Sequence, residues 1–259
     1  MDLFYRSLGQ GPTLIIIHGL FGSSDNWLSQ AKKFSQHYTV YLIDARNHGQ
    51  SPHDSVHNYT VMSQDLMNFI DTHKLVQPFV LGHSMGGKLV MKFLSLFPGK
   101  IAKAIVADIS PRYYTRHHDH ILEGLSAIPL DTLTSRQEAD DLLAQYLPGL
   151  GERQFLLKNL YRNEEGKFQW RMNLPVLLSE IDNIGEGLEP DSRIETPTLF
   201  INGGASNYVK EEDRDLMKKI FTHPVFKTIP NVGHWLHAEK PDEFISDVNE
   251  FLEGNNTTS

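Results

Sequence analysis

One stretch constrains this chain more than any other: in Phe79-Val80-Leu81-Gly82-His83-Ser84-Met85-Gly86-Gly87 an apolar run stops at a serine held between two glycines. The run suits a buried strand, and the following Lys88-Leu89-Val90-Met91-Lys92-Phe93-Leu94 carries apolar side chains at helical spacing, so Ser84 falls on a strand-to-helix turn. A nucleophile elbow requires that context. A serine on so sharp a turn sits in a backbone conformation costing roughly 1–3 kcal/mol, and glycines at 82 and 86 remove Cβ atoms that would collide with the strand and helix. The turn lifts Oγ into the open, near the positive end of the helix. Because such a Gly-x-Ser-x-Gly pattern also arises by chance, its weight depends on whether the chain supplies a base, an acid and oxyanion donors in the right places.

A serine hydroxyl is a weak nucleophile at neutral pH and needs an imidazole to take its proton and later protonate the leaving group. Among 13 histidines, His234 alone follows the final strand-like run, Val225-Phe226-Lys227-Thr228-Ile229, in a glycine-containing loop before a terminal helix, and it is the candidate base. The oxyanion needs two oriented N–H donors. Met85, next after the serine, supplies the first; the loop His18-Gly19-Leu20-Phe21-Gly22, which ends the buried run Leu14-Ile15-Ile16-Ile17, supplies the second from Leu20 in preference to Phe21. His18 is read as shaping that loop, His83 as packing within the elbow, and His237 as holding the His234 loop.

Strand and helix signals alternate along the chain, which points to a mostly parallel central sheet flanked by helices. Strands are expected at residues 3–8, 14–18, 39–44, 79–81, 101–107, 198–202 and 225–229, and helices at 61–73, 85–97, 208–221 and 241–252. The stretch 111–190 breaks the rhythm, with charge and helix-like patterns but no apolar strand run. It reads as a helical cap inserted into a core formed by residues 1–110 and 191–259. Leaving the sheet at its carboxyl edge, it would lie over Ser84. Phe155, Leu156, Leu160, Tyr161, Phe168, Trp170 and Leu177 are candidates to line an acyl pocket, although for any one of them packing within the cap is the simpler role.

Four segments, His18-Gly19-Leu20-Phe21-Gly22, Asp44-Ala45-Arg46-Asn47-His48-Gly49-Gln50-Ser51, Gly82-His83-Ser84-Met85-Gly86-Gly87 and Gly233-His234-Trp235-Leu236-His237-Ala238-Glu239-Lys240-Pro241, resemble the α/β-hydrolase superfamily, and in particular its bacterial YbfF-type esterase branch. The resemblance covers nearly the whole chain. It implies an α/β-hydrolase fold, the chain order serine, acid, histidine, and small acyl esters or acyl-CoA thioesters as substrates. In proteins of this kind the Asp44–Ser51 loop braces the strand ends near the elbow, and an Asp44–Arg46 network would serve that purpose. The commonest α/β-hydrolase pattern puts the acid after the strand at 198–202, yet Gly203-Gly204-Ala205-Ser206-Asn207-Tyr208 offers Ser206 there, which carries no charge. Glu211, Glu212 and Asp213 read as helix-start carboxylates. One strand earlier, Ala104-Ile105-Val106-Ala107-Asp108 delivers Asp108 at the end of a buried run. Asp108 is therefore assigned to orient His234, with Ser206 adding a hydrogen bond to the same group, although a turn-capping role for Asp108 before Ser110-Pro111 fits the pattern too.

A formal net charge of −8 and an isoelectric point near 5.9 argue against a nucleic-acid partner, since no basic stripe is present to neutralise phosphates. With no cysteine in the chain, disulfides, thiolate metal sites and a cysteine nucleophile are excluded. His117-His118-Asp119-His120 invites a metal reading, but the usual i, i+4 zinc pair is absent and a solvated segment is the better account. No metal or cofactor is implied. The first residues lack a secretory pattern, and the run 14–17 is far shorter than the about 20 residues a membrane helix needs, so a cytoplasmic location is the expectation. The chain is expected to be a serine hydrolase of small carboxylic esters or acyl thioesters, acting through an acyl-enzyme on Ser84. Carbon–carbon bond hydrolysis, a lyase reaction, perhydrolysis and a ligand receptor on a hydrolase scaffold are the alternatives. A serine at 84 speaks against the aspartate-based dehalogenase and epoxide chemistries.

Overall fold

The computed structural model describes residues 1–116, 119–189 and 192–254. His117 and His118 of the histidine cluster, the expected boundary at Pro190, and residues 255–259 of the polar tail lie outside the described residues. The chain opens with β1 (Tyr5–Leu8) and β2 (Thr13–Ile17), passes a 3-10 turn (Ser24–Trp27) into α1 (Leu28–Phe34), and returns as β3 (Thr39–Ile43). Next come α2 (Tyr59–Thr72), β4 (Phe79–His83), α3 (Met85–Leu96) and β5 (Lys103–Ala107). A long excursion follows through α4 (Asp119–Ser126), α5 (Arg136–Leu143), α6 (Leu150–Leu157), the strands β6 (Leu160–Arg162) and β7 (Phe168–Trp170), α7 (Leu174–Ser179) and α8 (Ile181–Ile184). The chain then rejoins the sheet with β8 (Thr198–Gly203), α9 (Asp213–Ile220), β9 (Pro224–Ile229), α10 (Leu236–Glu239) and α11 (Pro241–Glu253).

Seven strands form one sheet in the order β1-β3-β2-β4-β5-β8-β9. Only β1 runs antiparallel, against β3; the other five pairings are parallel. Parallel strands covered on both faces must be apolar at every position, and β2 meets that demand with four buried residues in a row. Leu14 and Ile16 face one layer, with Trp27, Phe34, Phe244 and Val248 from the α1 and α11 side. Ile15 and Ile17 face the other, with Leu66, Ile70, Val90, Phe93 and Met217 from α2, α3 and α9.

All seven expected strands are present, displaced at their ends. The fourth continues through Gly82 and His83, which pair with Val106 and Ala107, where the glycine had suggested a stop. Helix α1, seven residues long, was too short to declare a period. The excursion between β5 and β8 departs from the all-helical expectation, because β6 and β7 form an antiparallel hairpin. Its strands are three residues each, below the length at which alternation shows, and its turn is closed by Asn163 Oδ1 accepting from the N–H groups of Glu165 (3.1 Å) and Lys167 (2.9 Å).

The parallel arrangement brings the carboxyl ends of β2, β4, β5, β8 and β9 to one edge. Neighbouring order then follows from register: His83 lies beside Ala107, Ala107 beside Ile201, and Gly203 beside Ile229.

Candidate active site

Ser84 follows β4 with φ 54° and ψ −116°, and α3 begins at the next residue. A Cβ on Gly82 would lie 2.1 Å from the Gly86 carbonyl oxygen, and one on Gly86 would lie 2.5 Å from that of Ile17, so both positions exclude any side chain. Met85, first residue of α3, has an N–H for which the helix provides no acceptor. In the loop after β2, the Phe21 N–H is already taken, donating to His48 Nε2 at 3.2 Å.

Asp108 follows β5, fully buried and itself at φ 51°. Its Oδ2 accepts from His234 Nδ1 at 2.7 Å and from Ser206 Oγ at 2.5 Å, and its Oδ1 accepts from the Gly203 N–H at 3.0 Å. With the Asp108 carboxylate as acceptor, the imidazole presents Nδ1–H to it, and Nε2 lies on the far side of the ring. The rival acids point elsewhere. Asp213 pairs with Arg112 at 3.2 Å, while Glu211 and Glu212 make surface pairs with Arg214 and Lys210.

Neighbouring histidines are buried and neutral. Burial, reinforced by His234 and His237, pushes His83 well below the usual histidine value, and its Nε2–H donates to the His234 carbonyl at 2.8 Å. His237 stacks on Trp27 at 4.0 Å, and burial together with His234 lowers it to about 3. His18 donates from Nδ1 to the Gly19 carbonyl (2.8 Å) and accepts at Nε2 from the Ala45 N–H (3.1 Å); burial lowers its pKa, with Asp44 opposing.

Tyr208 is the residue that sequence reasoning missed. Its ring stacks on His234 at 3.8 Å and 17°, and its carbonyl accepts from Tyr114 Oη (2.6 Å) and Arg112 Nη2 (3.3 Å). Burial, with Asp108 nearby, pushes its phenol up to about 12, so the ring is uncharged. The expected helix from 208 therefore starts only at Asp213, whose Oδ2 accepts from the Lys210 N–H at 2.9 Å. No local pattern separates Tyr208 from a helix-start residue; the one clue was its place two residues past Ser206.

The Asp44–Ser51 loop corrects another expectation. Asp44 accepts from the N–H groups of Ser24 (2.6 Å) and Gln50 (2.9 Å), whereas Arg46 forms a two-pronged pair with Asp65 (2.6 and 3.0 Å), so the two residues brace separate contacts.

Ser84 and His234 open into a cavity of about 180 Å³ that Ile121, Phe155, Leu156 and Trp235 also line. Of the seven residues proposed from sequence for this lining, only Phe155 and Leu156 are there. Leu160, Phe168 and Leu177 are buried in the core, Trp170 packs against that core, and Tyr161 Oη bonds to Gln169 at 3.0 Å. Among the described residues no group of three His, Asp or Glu side chains is placed to hold a metal ion. No described helix is long and apolar enough to cross a membrane.

Known proteins are similar to this chain. The profile of a family described by its alpha/beta hydrolase fold matches residues 12–241. Esterase YbfF of Escherichia coli strain K12 is 38% identical over 240 residues, covering 92% of this chain and 92% of that protein. The sn-1-specific diacylglycerol lipase ABHD11 of Mus musculus is 36% identical over 249 residues, covering 93% of this chain and 81% of its own. Among solved structures, a marine microorganism esterase superposes with a TM-score of 0.94 at 41% identity, covering 96% of this chain and 99% of that one.

Proposed function

The chain belongs to the α/β-hydrolase family, and on that premise we propose that it is a serine esterase working through an acyl-enzyme on Ser84, with acyl thioesters within reach of the same chemistry. His234 Nε2 takes the Ser84 hydroxyl proton as Oγ bonds to the substrate carbonyl carbon, and the carbonyl π pair moves onto oxygen. The N–H groups of Leu20 and Met85 receive that oxyanion. Collapse breaks the bond to the leaving group, which departs with the proton held on His234 Nε2. Water then repeats the sequence on the acyl-serine, releasing the carboxylic acid and returning the proton to Oγ.

The Asp108 carboxylate orients and stabilises the imidazolium, while Ser206 and the Gly203 N–H hold that carboxylate in place. Residues 111–190 we read as a cap that covers the site and shapes its pocket. The observation that carries the proposal is the 2.7 Å bond from His234 to a fully buried Asp108, with Ser84 on a strained turn in the same cavity.

A panel of p-nitrophenyl esters and acyl-CoAs, run with a fluorophosphonate probe, tests it. The wild-type protein should turn over esters and take the label, and Ser84→Ala should do neither. Labelling of Ser84→Ala at the wild-type rate would overturn the assignment.

A further inference from the structure

Two cavities meet at the candidate nucleophile. The larger, about 180 Å³, has His234, Trp235, Phe155, Leu156, Ile121 and Glu152 in its walls. The smaller, about 30 Å³, has Tyr59, Met85, Ile109, Ile181 and Ile184 in its walls, with the charged Lys88, Arg116 and Asp182 also lining it. Leu20, Ser84 and Tyr208 belong to both, so a substrate bonded to Ser84 has one arm for each.

We propose that the small cavity takes the acyl group and the large one the leaving group, making the preferred substrates esters of short acyl groups with bulky, uncharged alcohols. The assignment rests on the serine-esterase reading and gives it a direction. The departing oxygen must receive a proton from the imidazolium, so the leaving group has to lie within hydrogen-bond reach of His234. His234 lines the large cavity and is not among the described residues lining the small one. The acyl chain takes the side that remains.

Size follows from the walls. On this measure a water-sized group occupies about 10–15 Å³, so the small cavity holds about two, the span from an acetyl to a butanoyl chain. Two of its wall residues are tied by hydrogen bonds. Tyr59 Oη donates to the Ile184 carbonyl at 2.8 Å, and buried Lys88 ties its ammonium to the carbonyls of Arg112 and Glu186. Charge constrains the other side: among the described residues lining the large cavity there is no lysine or arginine, and Glu152 is the one carboxylate. Such a wall favours an apolar, neutral alcohol over a leaving group bearing phosphates.

The test is a kcat/KM grid on the wild-type protein. One axis runs acyl chains from acetate to dodecanoate, the other runs aryl alcohols of matched acidity and increasing size, and acetyl-CoA is added as an anionic leaving group. Octanoate should fall about 30-fold or more below butanoate, because methylenes that find no room cost at least as much as one lost from a pocket. Enlarging the alcohol should hold or raise the rate, and acetyl-CoA should trail the aryl acetates. Ile184→Ala should move the acyl optimum to longer chains with the alcohol profile unchanged, and Phe155→Ala should do the reverse. Octanoate turned over as fast as butanoate by the wild type, or an acyl optimum that follows Phe155→Ala instead of Ile184→Ala, would overturn the assignment while leaving the esterase intact. Silence across the whole grid, with no fluorophosphonate labelling, would overturn the esterase reading and this assignment with it. If Ile184→Ala does not fold, the wild-type grid decides alone.

Discussion

The carboxyl edge of the sheet and the inner surface of the excursion between β5 and β8 meet around Ser84, and they are built on different principles. On the sheet edge polar groups are buried and met by partners: Asp108 by three donors, His83 by the His234 carbonyl, His18 by backbone groups on both nitrogens. The excursion contributes side chains such as Ile121, Phe155 and Leu156 from helices of eight residues. Proton transfer tolerates misplacement of only about 0.5 Å, so its groups sit on strand ends locked by hydrogen bonds; a pocket for carbon chains tolerates more, and short helices suffice. Substitutions on the edge should therefore cost turnover on every substrate, and those on the excursion should reorder substrates.

The largest expected effect is that of Ser84→Ala. Ester turnover should drop by about 10⁶-fold, the scale found when a serine hydrolase loses its nucleophile, with the circular dichroism spectrum unchanged. Asp108→Asn should come next, at about 10⁴-fold in kcat, because the amide favours the wrong imidazole tautomer. Ser206→Ala should fall well short of that loss, and Glu211→Gln and Glu212→Gln should leave steady-state rates unchanged. If instead one of those glutamates proved essential and Asp108→Asn did not, the acid would lie beyond β8.

Acid should weaken the sheet side more gradually. Burial lowers His57 to about 4, with Arg46 and His18 contributing, and His237 lies at about 3. The unfolded chain titrates near about 6.5, so between that value and 4 it binds the extra protons. Stability is thus complete above pH 6.5 and is lost as the pH falls through that window, by up to about 1.4 kcal/mol per pH unit for each histidine. Urea midpoints at pH 7, 6 and 5 should show the decline, and His57→Gln should flatten it. The smallest effect distinguishes two aromatic residues of the excursion. Phe155→Ala should change relative rates among alcohols by a few-fold, about what one lost apolar contact is worth; Trp170→Ala should lower the melting temperature and leave those ratios alone.

The strands were legible because a doubly covered parallel sheet writes itself as apolar runs such as Leu14-Ile15-Ile16-Ile17. Short elements were not, since α1 and the β6-β7 hairpin end before a period can be read. At the candidate site, the positions of Ser84, Asp108 and His234 followed from where apolar runs stop. Side-chain partnerships across the sequence did not: Arg46 turns to Asp65 on α2 instead of to Asp44, and Tyr208 lies on His234 from 26 positions away instead of opening α9. Apolar identity alone could not tell Phe155, which faces the cavity, from Leu160 and Leu177, which are sealed in the core.

Ser84 and Asp108 end adjacent strands, and both hold a left-handed backbone that suits glycine better than any residue with a side chain. Such a conformation costs about 1–3 kcal/mol at each position. A glycine at Asp108 would leave the Gly203 N–H, Ser206 and His234 without their shared acceptor, so a lineage released from selection for activity would find glycine the easier residue at Ser84, losing its chemistry there while gaining heat resistance. The comparison of Ser84→Gly with Ser84→Ala isolates that tension in one atom: both should be inert, and the glycine form, free of the Cβ, should melt higher.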